Sequence, residues 1–193
     1  MAIIGLVGPF GSGCTYVAKE ILGKELGYQY LSLSDILREE YQTIKGTDSE
    51  KPDRSALQDF GDIIRESKGA DYLARKVSQK INILEGDFVV DSIRNPEEVN
   101  YLKGKYVDFF VIGVFAGNNL RWERVKDSYD GNQALFLKDE ERDKGEKIAH
   151  GQRVTDAFLT SDAIVLNEST IVNRNEAYKT LKAKIEKYIH LFK

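Results

Sequence analysis

The 193-residue sequence predicts an α/β domain in which a parallel sheet is covered by helices on both faces. Three observations carry that expectation. Short apolar runs alternate with longer amphipathic ones along the chain. Some of the short runs are apolar without interruption, as in Phe109-Phe110-Val111-Ile112-Gly113-Val114-Phe115, which is what burial on both faces requires. No repeat, low-complexity tract or linker breaks the alternation, so one domain spanning 1–193 is expected.

The first strand is expected at Ile3 to Val7, followed by a helix from about Gly13 to Leu26 that carries Val17, Ile21 and Leu22 on one face. A second strand fits Tyr28 to Leu33, and Ser32 with Asp35 forms a capping-box pattern at the next helix start. Further on, Arg54, Gln58, Gly61 and Arg65 fall on one helical stripe, with Leu57, Phe60 and Ile64 on the adjacent, buried one. The third strand, Phe88 to Asp91, leads into Asn95, Pro96 and Glu98, which supply a cap, a first-turn proline and a reciprocal acid. Strands at Phe109 to Phe115 and Ala163 to Leu166 follow, and a final helix from about Asn175 to Leu191 presents Leu181, Ile185, Tyr188 and Ile189. Ser128 to Gly151 reads differently. It holds three glycines and the charge-dense run from Lys138 to Lys144, with little apolar periodicity outside Ala134 to Leu137, so a solvated excursion or a mobile lid over about 128–151 is expected.

Composition narrows the function classes. With 28 Lys plus Arg against 31 Asp plus Glu, the net charge is -3, so no nucleic-acid partner is expected, although a small cationic cleft on an acidic body stays open. Cys14 is the single cysteine, and with only His150 and His190 beside it there is neither an internal disulfide nor a multi-cysteine zinc site. A reducing, cytoplasmic location is the expectation. The N-terminus lacks the basic flank of a signal, and no apolar run approaches the roughly 18 residues of a membrane span, so no membrane partner is expected either.

The chemistry concentrates at the first turn. Ile3 to Val7 runs into Gly8-Pro9-Phe10-Gly11-Ser12-Gly13-Cys14-Thr15 and then a helix, the strand, glycine-rich loop and helix of a P-loop. Gly8, Gly11, Ser12, Gly13, Cys14 and Thr15 are the candidate phosphate ligands. The glycines let the backbone wrap round an anion, the helix N-terminus adds its dipole, and the Thr15 hydroxyl suits Mg²⁺. The motif wants lysine where Cys14 stands. By analogy with one lost oxyanion donor, its absence is worth about 3 kcal/mol, or roughly 10² to 10³ in rate, unless another cation compensates. Lys19, more than a turn into the helix, is not expected to do so. A thiol at a helix N-terminus is also expected to have a lowered pKa, which would make the loop redox-sensitive; a plain space-filling role is the alternative.

Asp91 ends an apolar strand as a Walker B acid does and joins Thr15 as the second candidate Mg²⁺ ligand. Asp35 and Arg38 open the helix after the second strand. Arg54 and Arg65, with Gly61 between them, leave room for a phosphate, and Arg94 lies in the loop after Asp91. These five, Asp35, Arg38, Arg54, Arg65 and Arg94, are the candidate acceptor-binding residues. Arg121 and Arg124, with Arg142 in the lid, are candidates to clamp the transferring phosphoryl alongside Asp91. A surface pair between Arg124 and Asp127 is the alternative for that residue.

Together these segments resemble the P-loop nucleoside and nucleotide monophosphate kinases, especially the dephospho-CoA kinase and deoxynucleoside monophosphate kinase branch and related archaeal adenylate-kinase-like proteins. The likeness runs from Gly8–Thr15 through Ser34–Arg38, Leu57–Arg65, Gly69–Ala74, Asp91–Pro96, Arg121, Arg124, Glu141–Asp143 and Gly151–Val154 to Ala163–Asn167. It implies a three-layer fold with a five-stranded parallel sheet, ATP over the P-loop with Mg²⁺, an acceptor phosphate held at positions matching Arg38 and Arg65, and lid arginines matching Arg121, Arg124 or Arg142. The lysine-less loop itself resembles the amino-terminal kinase-like part of some deoxycytidylate-deaminase-type proteins. The zinc deaminase signature is absent, which excludes deamination by this chain. Two readings follow: a phosphotransferase acting on a (deoxy)nucleotide or related acceptor, or a catalytically impaired nucleotide-sensing module.

Overall fold

The computed structural model describes residues 1–46, 52–145, 151–170 and 173–192. Residues 146–150 of the expected lid, His150 among them, lie outside the described residues.

β1 (Ile3–Val7) has every residue buried and pairs in parallel with a neighbour on each side, as an uninterrupted apolar run should. Its neighbours are β3 (Phe88–Ile93) and β4 (Phe109–Phe115), flanked in turn by β2 (Gln29–Ser32) and β5 (Ala163–Leu166), giving five parallel strands in the order β2-β3-β1-β4-β5. The two-residue period of the strands separates two cores. Ile3, Val7, Val90 and Val111 face α2 (Leu33–Lys45), α3 (Arg54–Lys68), α4 (Tyr72–Asn82), α5 (Pro96–Lys105) and α8 (Val154–Leu159). Ile4, Leu6, Val89 and Val114 face the opposite layer, made by α1 (residues 14–25) and α9 (Arg174–Phe192).

The caps form where expected. Ser32 accepts a hydrogen bond from the Asp35 N–H at 3.3 Å, and the Glu98 carboxylate accepts from the N–H groups of Arg94 and Asn95 at 2.7 and 3.1 Å.

Three elements differ from expectation. α1 begins as an α-helical turn, Cys14–Tyr16, and then runs as a π-helix over Val17–Glu25, with the Leu26 N–H reaching back five residues to the Ile21 carbonyl. Val17, Ile21 and Leu22 are nonetheless buried, so the apolar pattern survives the change of winding. β3 runs two residues past Asp91, because the β1–β3 register slips beyond Gly5 and Ser92 adopts φ +64°. The charged segment contains a full helix, α7 (Gln133–Lys144), capped by the Asn132 side chain. Its periodicity was weak for a physical reason: only Phe136 and Asp143 are buried, the first against Trp122 and Tyr129, the second in ion pairs.

Candidate nucleotide site and its arginine-lined neighbour

Parallel strands deliver the loops after β1 and β3 to the same edge of the sheet. The loop after β1 is shaped by close approach. A Cβ at Gly8 would lie 2.3 Å from the Val114 carbonyl oxygen; Gly13 has φ +100°, and a Cβ there would fall 2.3 Å from Asn167 Nδ2. Asn167 is buried and donates through Nδ2 to the Ser12 carbonyl at 2.8 Å. The Arg124 guanidinium, before the 3₁₀ turn Lys126–Tyr129 on α6 (Asn118–Val125), donates to the carbonyls of Gly11, Ser12, Asn167 and Ser169 at 3.1, 3.3, 2.9 and 2.8 Å. The loop is thus clasped from outside by one arginine and one asparagine. Arg124 serves as this buttress, without the pairing to Asp127 weighed for it, and its burial lowers its pKa.

At the foot of the loop the Thr15 hydroxyl donates to Asp91 Oδ2 at 2.7 Å. The same oxygen accepts from Tyr30 Oη at 3.2 Å, while Asp91 Oδ1 accepts from the Ser92 N–H at 2.7 Å. Asp91 is only 1 % exposed, and burial together with this carboxylate pushes the Tyr30 phenol up. A hydroxyl and a carboxylate converging at one point form a hard oxygen donor pair. It suits Mg²⁺, which keeps several waters and takes few protein ligands.

The expectation of a thiolate at position 14 is overturned. Desolvation, with Asp91 nearby, pushes the Cys14 thiol up to about 12, and its Sγ lies 3.5 Å from Ser12 Oγ. Cys14 is a neutral filler of the loop.

The cavity over the loop is about 290 Å³, bordered by Gly8, Gly11, Gly13, Cys14, Thr15, Asp91, Arg94 and Arg124. Beside it opens a second one of about 600 Å³, which brings together Arg38, Arg54, Arg65, Arg94 and Arg142 over a floor of Leu33, Leu37 and Leu73. Most of these cations already have partners, Asp139 and Asp143 of α7 among them. Arg54 reaches Asp139 at 3.1 Å and Asp143 at 2.8 Å, and its guanidinium lies 4.0 Å from the Phe10 ring centre. Asp143 also accepts from Gln58 at 2.8 Å and lies 3.6 Å from Arg94. Arg142 pairs with Asp59 and Asp62 at 2.6 and 2.7 Å, and Asp62 pairs with Arg65 at 3.1 Å. Arg65 and Gln58 are each 4 % exposed, yet Arg65 Nε and Gln58 Oε1 have no partner.

The remaining sequence candidates fall elsewhere. Arg121, expected to clamp phosphoryl, borders neither cavity; it is buried, bonds the Ala116 and Phe10 carbonyls at 3.1 and 2.9 Å, and pairs with Glu140 at 2.5 Å. Asp35 pairs with Arg38 at 2.8 Å on the exposed first turn of α2, and only Arg38 borders the large cavity. Lys19 packs over the Tyr30 ring at 4.7 Å, as its helical position suggested. Asn167, Ser169, Asp139 and Asp143 had been given no role. Their contacts with Arg124, Ser12 and Arg54 reach across 43 to 155 residues, which no local spacing announces.

Sheet order and loop together give a P-loop kinase-like fold, and comparison with solved structures shows the same fold. An uncharacterized protein from Eubacterium ventriosum superposes with a TM-score of 0.60 at 16% identity, covering 98% of this chain and 99% of its own. Shikimate kinase from Bacteroides thetaiotaomicron gives 0.57 at 11% identity, covering 96% and 98%. No family model matches the chain. Its sequence relatives are more specific: the UPF0200 protein of Sulfurisphaera tokodaii is 30% identical over 93% of this chain and 96% of its own length, and that of Methanothermobacter thermautotrophicus is 27% identical over 96% and 91%. The chain belongs to the UPF0200 family.

Proposed function

We propose that this protein binds a nucleoside triphosphate with Mg²⁺ over Gly8–Thr15 and a phosphorylated acceptor of the nucleotide class in the arginine-lined cavity, as a nucleotide kinase does. The observation that carries the reading is the Thr15–Asp91 hydrogen bond of 2.7 Å at the foot of the loop, with the larger cavity opening beside it. Thr15 and Asp91 would hold the metal ion, which when bound neutralises charge on the phosphates. The turn from Gly8 to Thr15 holds the donor phosphates by backbone groups and the start of α1. Arg38 and Arg65 orient the acceptor's phosphate, and α7 covers the site against water. Catalysis of this kind is mainly positioning and electrostatics, since little covalent chemistry falls to the protein.

A second reading, a nucleotide-sensing module with little turnover, is favoured by Cys14 at the lysine position. A thermal-shift panel tests the shared part: a nucleotide with Mg²⁺ at about 100 times its dissociation constant stabilises the fold by about 2.7 kcal/mol. Absence of a shift with every nucleotide would remove both readings. A phosphoryl-transfer assay on wild type and Cys14→Lys then separates them; turnover confined to the variant selects the module.

A further inference from the structure

A P-loop without its lysine needs a positive charge from elsewhere if it is to hold the terminal phosphates of a triphosphate. The described cations can be taken in turn. Arg124 borders the loop cavity, but its guanidinium is bound to four carbonyl oxygens. Arg121 is buried away from both cavities, and Lys19 covers the Tyr30 ring. Arg65 borders only the larger cavity. Among the described residues Arg94 is the one cation that borders both.

Arg94 also has a fixed root and a lightly held head. Its N–H donates to Glu98 at 2.7 Å and its carbonyl accepts from the Arg153 N–H at 2.9 Å, so the backbone is anchored on both sides. The guanidinium, by contrast, has a 3.3 Å bond to Gln152 and a 3.6 Å approach to Asp143, both long for charged contacts. That combination suits a group that changes partner when a ligand arrives.

We infer that Arg94 replaces the missing P-loop lysine: its guanidinium leaves Asp143, contacts the terminal phosphates of the donor over the loop, and joins the donor cavity to the acceptor cavity. This inference rests on the nucleotide-binding reading above and adds a donor-side role to a residue assigned from sequence to the acceptor.

The test is a double-mutant cycle on the full chain, read as the dissociation constant of Mg²⁺–ATP by calorimetry in the absence of any acceptor, with Mg²⁺–tripolyphosphate as a base-independent probe. Arg94→Gln should weaken both by about 10- to 100-fold, the range of one charge-assisted contact. Arg94→Lys should retain most of the affinity. Adding Cys14→Lys should restore binding in the Arg94→Gln background more than it improves wild type, since the two cations answer the same phosphates. Wild type binding neither probe would overturn the nucleotide reading and this inference together. Wild type binding while Arg94→Gln binds as tightly, or Cys14→Lys acting equally in both backgrounds, would overturn the Arg94 assignment alone. Circular dichroism and melting of Arg94→Gln and Arg94→Lys check that the fold is kept, and Arg94→Met, which also removes the charge, takes the place of Arg94→Gln in the cycle if the glutamine variant unfolds.

Discussion

At position 14 the loop carries a side chain that neither attracts nor repels phosphate, because the thiol, pushed up to about 12, is neutral at physiological pH. Iodoacetamide at pH 8 should therefore label Cys14 in the native protein much more slowly than a free thiol; labelling at the free-thiol rate would contradict the raised pKa. Gly13 is held by a different constraint. Its φ of +100° and the nearby Asn167 amide leave no space for a methyl group, so Gly13→Ala should lower stability by about 1–3 kcal/mol in denaturant melts and weaken Mg²⁺–ATP binding as well. Thr15 and Asp91 were legible in the sequence because Thr15 directly follows the glycine-rich loop at the head of a helix and Asp91 closes the apolar run Phe88-Val89-Val90. Asn167 and Arg124 were not legible as partners of the loop, because only the completed sheet places β5 and α6 against it.

Among the elements, α7 is held to the body mainly by charge. Asp143 is buried and serves Arg54 and Gln58 together, and a buried acid with two partners is costly to remove. Asp143→Ala should destabilise the fold by about 3 kcal/mol and speed proteolysis within α7; cleavage at the wild-type rate would argue against the latch. The pairing of α9 with α1 behaves differently with pH. Hydrogen bonds from Lys182 and Tyr178 hold the Glu25 carboxyl below its ordinary value of 4.5. A lowered acid stabilises the fold above its unfolded pKa and loses that contribution as pH falls through the folded value. Glu25→Gln should flatten the acid limb of the stability curve below about pH 4.5, by a small amount because the pair is exposed. Helices with an apolar face, such as α2, α3 and α9, could be read from the sequence, and so could β1, β4 and β5 to the residue. α7 could not, since a single apolar side chain, Phe136, is buried on it and the rest of its anchoring is ionic, which apolar periodicity does not record.

Over the whole molecule, the order β2-β3-β1-β4-β5 sets the loops after β1 and β3 side by side, and all-parallel alternation made that edge predictable before the cavities were seen. Asp143 and the acids around it give the arginine-lined cavity counter-ions that belong to the chain. If the proposed acceptor phosphate enters there, it would do so by an internal ion exchange, displacing a tethered carboxylate and releasing few mobile anions to the solvent. Ligand affinity should accordingly fall with added potassium chloride on a shallower slope than five arginines imply, and Asp143→Asn should steepen it. Calorimetric titrations of Mg²⁺–ATP with an acceptor nucleotide across a salt series measure that slope; a steep wild-type dependence unchanged in Asp143→Asn would show that the carboxylates of α7 do not compete. The charge balance of -3 over the whole sequence then acquires a local meaning, since part of the acidic excess is stored as a reserve of anions inside a cationic site.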